Sequence, residues 1–271
     1  MVPTTPARTQ AERADQTRAR ILDAALHEFS TNGLAGARTE RIAEAAGVNK
    51  ALLYYYFLSK DELYAAAIEI VVEGVRASSF AALEADASPG ERFLRMVINH
   101  FDRIHSNRAF QSLMQQEMIR LHRGEANALG SLAEKLFRPL WSKVRIVLEE
   151  GIAAGELIPA EWMQMVYAGL GANVFYFLSA PMTRLTQGFD PLEPAALEFR
   201  RKAAIEYLGQ SLFVDRKYGA EVAARVLAST PMPQTVAIGS LVVTPASQLS
   251  SGRPVEGTGR GGAEPQWENS Q

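Results

Sequence analysis

The sequence contains no cysteine. That removes disulfides, thiolate zinc sites and cysteine nucleophiles together. No apolar run approaches the roughly 18 residues of a membrane-crossing helix, so no membrane partner is expected. The opening stretch, MVPTTPARTQAERADQ, has no apolar segment and is not read as a secretory signal. Glycine-rich phosphate loops and nucleophile elbows are missing. So is any Glu-x-x-His pair, which a carboxylate-bridged di-metal bundle would need. The histidines do not repair this. His100 and His105 are five apart and do not share a helical face, and His27 and His122 have no ligand partners near them in sequence. No metal, cofactor or catalytic residue is expected, and a cytoplasmic protein is the default. Excess charge is also lacking: the net value is -2. Residues 1–60 hold 8 Lys/Arg against 6 Asp/Glu, and the remainder 20 against 24, so a small basic excess sits at the N-terminal end.

What is present is helical patterning. Hydrophobic residues make up 47% of the 271, enough for a small domain and a larger one. Periodic segments repeat at helical spacing and none alternates like a strand. The expected fold class is therefore all-α.

The stretch from Thr39 to Lys60, TERIAEAAGVNKALLYYYFLSK, organises the chain. Thr39 reads as an N-cap, and Ile42, Ala43 and Ala46 give a first helix its apolar face. Gly47 suits a helix stop and Asn49 a second N-cap. Two short helices joined through a glycine turn are the helix-turn-helix pattern. In the second helix Leu53 and Phe57, four apart, share a face and are expected to plug the core. Tyr55 then points away from them, with Tyr54 and Tyr56 flanking. Three successive tyrosines cannot all be buried. Either they pack on another domain, or their hydroxyls meet phosphate while the helix start meets base edges. The turn residues favour DNA.

The run from Thr17 to Leu63 resembles the N-terminal domain of the TetR family of bacterial transcriptional regulators. The likeness is carried by Arg18 to Ala25, then Phe29, Gly33, Thr39, Ile42-Ala43, Ala45 to Val48, Leu53 to Tyr55, Phe57 and Ser59 to Leu63. Two positions depart from the family pattern: Tyr56 stands where histidine is usual, and Ala51-Leu52 where glycine or a small polar residue is. The resemblance implies phosphate contacts at Tyr54 and Lys60. Lys50 and Leu52 are expected to set sequence preference, with Leu52 against a thymine methyl. Thr39, Asn49, Ala51, Tyr55 and Tyr56 complete the expected DNA-facing set.

The expected domains are a disordered arm at 1–16, a DNA-binding head at 17–62, a ligand-binding and dimerisation body at 63–228 and a disordered tail at 229–271. The first helix is placed at 17–31 and a linking helix at 60–85. Body helices are expected at 90–106, 108–122, 127–153, 161–180, 194–214 and 217–228. Pro139 should kink the third of these, and Pro181 should close the fourth. Val236 to Val243 is a short apolar patch in the tail. Helix 161–180 is apolar nearly all round and must be covered on both sides. Gly169, Gly171 and Ala172 would let another helix approach. The resemblance implies a homodimer built on the last two long helices, with Phe175, Leu178, Phe199 and Tyr207 at the interface. A monomeric bundle centre is the alternative.

Polar residues interrupt the apolar stripes. His100 falls amid Phe93, Met96, Val97, Phe101 and Ile104. Glu117 falls amid Phe110, Leu113, Met114, Met118 and Leu121. Asn173 is placed alike. They are either satisfied by neighbours or fix the orientation of a ligand in an apolar cavity, which Met114, Met118, Trp141, Met165 and Tyr176 would line. The reading is a homodimeric regulator, a repressor released from palindromic operator DNA by a small-molecule effector. An activator with the same head, or a helical enzyme or binding protein, is the alternative.

Overall fold

The computed structural model describes residues 9–125 and 128–233. Within them the chain is helical, with a single isolated bridge between Leu157 and Phe213 and no strand. The tail beyond 233, including the Val236 to Val243 patch, and residues 1–8 lie outside the described residues.

Helix α1 spans Gln10–Gly36 and begins earlier than the sequence suggested. The reason is a capping box. Thr9 Oγ1 accepts from the Glu12 amide, and the Glu12 carboxylate accepts from the Thr9 amide at 2.7 Å. Residues 10–16 are thus helix rather than a disordered arm. Gly33, at φ 67°, breaks the regular helix near its end, two residues past the expected end at 31. Helices α2 (Thr39–Ala45) and α3 (Lys50–Tyr56) follow, joined through Gly47 at φ 65°. Helix α4 (Lys60–Leu83) then runs unbroken, capped by Ser59, whose hydroxyl accepts from the Glu62 amide.

The body adds α5 (Pro89–Ser106) and α6 (Arg108–His122). Next come α7 (Ala128–Leu132), a π-helical turn at Ala133–Phe137 and α8 (Arg138–Ala153). Expected segment 127–153 is therefore split, with Pro139 in the first turn of α8, where a missing N–H is harmless. Helix α9 (Trp162–Val166), a second π-turn at Tyr167–Gly171 and α10 (Ala172–Gln187) form one rod. That rod passes through Pro181 instead of ending there, and Gly188 in the left-handed region closes it at φ 72°. Helices α11 (Pro194–Leu212) and α12 (Arg216–Ser229) complete the body. They cross where two glycines meet: a Cβ on Gly219 would stand 1.9 Å from the Gly209 oxygen.

Two apolar clusters hold the helices. One joins Phe29, Leu53, Phe57 and Leu63 of the head to Ile104, Phe110 and Leu113 of α5 and α6. The other packs Phe93, Val97, Val144, Leu148, Met165 and Ile205. The expected head–body boundary at 62/63 is thus no gap in packing, because α1 and α4 lie in the same cluster as α6.

Candidate nucleic-acid interface and effector-binding body

The reading helix is built from inside out. Leu53 and Phe57 are buried, as their spacing requires, and the Arg18 guanidinium lies 5.3 Å from the Phe57 ring centre. Asn49 caps α3 by accepting from the Leu52 amide at 2.7 Å. That fixes the outward face of α3. Tyr55 is 78% exposed and Leu58, just past the helix, is 83% exposed. Ala51 and Leu52 are exposed beside them. Tyr56 is half-buried, its ring edge-on to Tyr55 at 5.5 Å.

Thr39 differs from the sequence reading. It is the first residue of α2, behind an Arg38 cap, and it is buried. Its hydroxyl lies 3.3 Å from that of Tyr54, so Thr39 orients a tyrosine rather than capping the helix. Lys50 is held by Glu40 of α2 in an ion pair and sits 5.9 Å over the Tyr54 ring. Hydrogen bonding to Glu40 raises the Lys50 pKa and lowers that of Glu40. Lys60 Nζ donates to the Ala35 carbonyl at 3.2 Å, tying α4 to the end of α1. Sequence reasoning missed Leu58 and the Glu40–Lys50 pair. Their only signal was an apolar residue outside the core spacing and a carboxylate ten residues before a lysine.

The expected effector residues are not gathered in one place. Glu117 is completely buried, but Tyr64 of α4 donates its hydroxyl to it at 2.9 Å and Arg120 pairs with it at 2.8 Å. Burial, then the bond to Glu117, pushes the Tyr64 phenol well above its ordinary range. Met118 and Leu121 lie on the outer side of α6, with Met118 55% exposed. The expected α6 stripe is therefore corrected to Phe110, Leu113 and Glu117, with Met114 half-buried. The charged triad draws Glu117 inward and turns Met118 out. Asn173 is buried and donates to the Val97 carbonyl at 3.0 Å, beside Gly169, whose absent side chain lets the rod touch Val97.

Tyr176 donates to the Pro191 carbonyl at 2.5 Å, and burial pushes its pKa up to about 12. Met165 is in the second core cluster. Trp141 instead lines a surface groove of about 530 Å³ with Trp162, Phe137 and Ile146. His100 is half-buried, and among the described residues its buried Nδ1 has no partner. Burial, then Arg103, pushes its pKa down to about 4. The four interface candidates share one property: Phe175 (67%), Leu178, Phe199 and Tyr207 (69%) are all exposed large apolar side chains. Among the described residues no group of three His, Asp or Glu stands close enough to hold a metal ion. No described helix is long and apolar enough to cross a membrane.

A capped reading helix on a glycine turn, backed by a helical body, defines a helix-turn-helix DNA-binding regulator. The comparisons agree. Residues 21–67 match the family described as bacterial regulatory proteins, tetR family, and residues 89–208 match a tetracyclin repressor-like C-terminal domain. The HTH-type transcriptional repressor NicS of Pseudomonas putida is 30% identical over 149 residues, 54% of this chain and 68% of that protein. The HTH-type transcriptional repressor SCO4008 of Streptomyces coelicolor is 48% identical over 59 residues, 22% of this chain and 31% of that protein. The fold is shared with the ketosteroid transcriptional regulator KstR2 of Mycobacterium tuberculosis, at TM-score 0.56 and 19% identity over 76% of this chain and 96% of that one. The chain belongs to the TetR family of bacterial transcriptional regulators.

Proposed function

We propose that the chain is a homodimeric cytoplasmic repressor, without a catalytic step, released from a palindromic operator by a small-molecule effector bound in the body. The observation that carries the reading is α4. It starts at Lys60, with three residues between it and the end of α3, and runs to Leu83 with bonds to α6 through Tyr64 and to α5 through Gly74 and Ser78. A shift of α5 or α6 on ligand binding reaches the head through one rigid rod. The ligand changes the populations of two head spacings, limited by its difference in affinity for them.

The dimer is supported by an exposed apolar stripe. Tyr167, Val174, Leu178, Met182 and Leu185 recur at helical spacing along the rod, with Phe199 and Tyr207 exposed on α11. Two heads on one two-fold axis suit two half-sites. The repressor sense is supported by the names of the relatives above. Tyr54, Tyr55, Tyr56, Lys50, Leu52 and Lys60 are assigned to DNA, with Thr39 and Asn49 positioning them.

The test is selection of bound duplexes from a random pool. A short inverted repeat, bound by a dimer with steep salt dependence, is expected. Recovery of unrelated sequences bound with no salt dependence would reject the assignment.

A further inference from the structure

Arg103 of α5 crosses to α4. Its Nη2 donates to the Gly74 carbonyl at 2.6 Å and to Ser78 Oγ at 2.9 Å. Gly74 makes the crossing possible, since a Cβ there would stand 2.9 Å from Nη1. Neither acceptor carries charge. Among the described residues Nε and Nη1 have no acceptor, and no carboxylate pairs with this guanidinium.

The other packed arginines differ. Arg201 is gripped at both ends by Asp102, Arg120 by Glu117, and Arg95 by Glu91. Arg200, also desolvated, lies 5.3 Å from the centre of the Tyr176 ring. Arg103 alone of this group has neither a carboxylate nor a ring. One turn before it on the same side of α5 stands His100, half-buried, its Nδ1 buried without a partner among the described residues. Arg103 is half-buried and its unbonded nitrogens are not sealed from solvent, so they stand open to an anion beside an imidazole whose buried Nδ1 has no partner among the described residues. The neighbouring side chains on α5, Met96 and Ile104, are buried and apolar.

We propose that Arg103 and His100 form the head-group subsite of the effector site, and that the effector is a small organic anion, a carboxylate on an apolar body. A carboxylate offers the guanidinium two charged acceptors in place of a carbonyl and a hydroxyl. His100, neutral at ordinary pH, donates a third hydrogen bond. Recruiting the guanidinium loosens its hold on Gly74 and Ser78, and hence the tie between α4 and α5. This deepens the effector-released reading and rests on it for the consequence at DNA, while the binding itself stands apart.

The experiment is calorimetry on the full chain without DNA. The probes are benzoate and short- to medium-chain alkanoates, their methyl esters and alcohols, and the matching alkyl phosphates. At least one acid is expected to bind about 10- to 100-fold tighter than its ester and alcohol. Arg103→Met should abolish that preference, Arg103→Lys retain part of it, and His100→Phe reduce it. If Arg103→Met fails to fold by circular dichroism, the Arg103→Lys and His100→Phe titrations decide. Preference for the alkyl phosphate supports the anion subsite and renames its head. Binding by no acid or phosphate, equal binding of esters, or an unchanged preference in the variants overturns the proposal. Operator binding of the ligand-free parent is measured separately. A parent that binds no operator but still selects acids would sink the regulator reading and leave this subsite intact.

Discussion

Tyr64 of the linking helix and Glu117 of α6 share a buried hydrogen bond of 2.9 Å, and Arg120 donates to the same carboxylate oxygen at 2.8 Å. The Arg120 guanidinium also sits 5.7 Å over the Tyr64 ring. One carboxylate thus joins the rod leaving the head to a body helix. Glu117→Ala would leave Tyr64 and Arg120 unmatched in the core and is expected to cost about 3 kcal/mol or more. Tyr64→Phe keeps the ion pair and should cost about 1 kcal/mol. Urea unfolding of both variants checks this. A Glu117→Ala protein more stable than the parent would show the carboxylate to be held for a ligand instead.

Glu40 is expected to compete with DNA for Lys50. Glu40→Gln removes the ion pair seen in the free protein and should strengthen operator binding. The salt slope should steepen by about one unit, as one more lysine becomes available to displace a counterion. Weaker binding with an unchanged slope would mean that the pair positions Lys50 for its contact.

Lys60 is expected to meet phosphate. Lys60→Ala should weaken binding about equally on all operator variants and flatten the salt slope by about one unit. It also removes the bond to Ala35, so thermal melting should accompany the binding curves. A change of base preference at constant slope would contradict the assignment, whereas Lys50 and Leu52 variants are expected to change preference.

Phe175 stands two-thirds exposed on the rod. Phe175→Glu would place an unpaired charge in the proposed subunit contact and should give monomers by sedimentation. Operator affinity should fall with it, since a single head engages one half-site. A folded dimer of this variant would remove the rod from the interface.

His100 has a pH consequence of definite sign. Its folded pKa, about 4, lies below the ordinary 6.5 because burial disfavours the charged ring. The unfolded chain therefore takes up a proton first as pH falls. Stability conferred by the neutral ring is present above about 6.5 and is lost progressively toward 4, by ~3 kcal/mol at most. His100→Phe should flatten the pH dependence of urea midpoints in that window. An identical profile for parent and variant would show that folding does not shift the His100 pKa.

Much of the head was legible in the sequence because its signals are local. The glycine turn, the Asn49 cap and the Leu53–Phe57 spacing depend on residues within one or two turns, so backbone chemistry settles them. The body helices were legible too, since apolar periodicity over fifteen or more residues leaves little choice. What the tertiary structure decided were the partners of polar groups. Thr39 looked like a cap until its hydroxyl met Tyr54, fifteen residues on. Glu117 and His100 had the same signature, a polar residue amid an apolar stripe. Tyr64 and Arg120 satisfy the first, and among the described residues none pairs with Nδ1 of the second. Periodicity tells which face a side chain shares. Whether a charge finds its counter-charge depends on helices far apart in the chain, and packing alone brings those together.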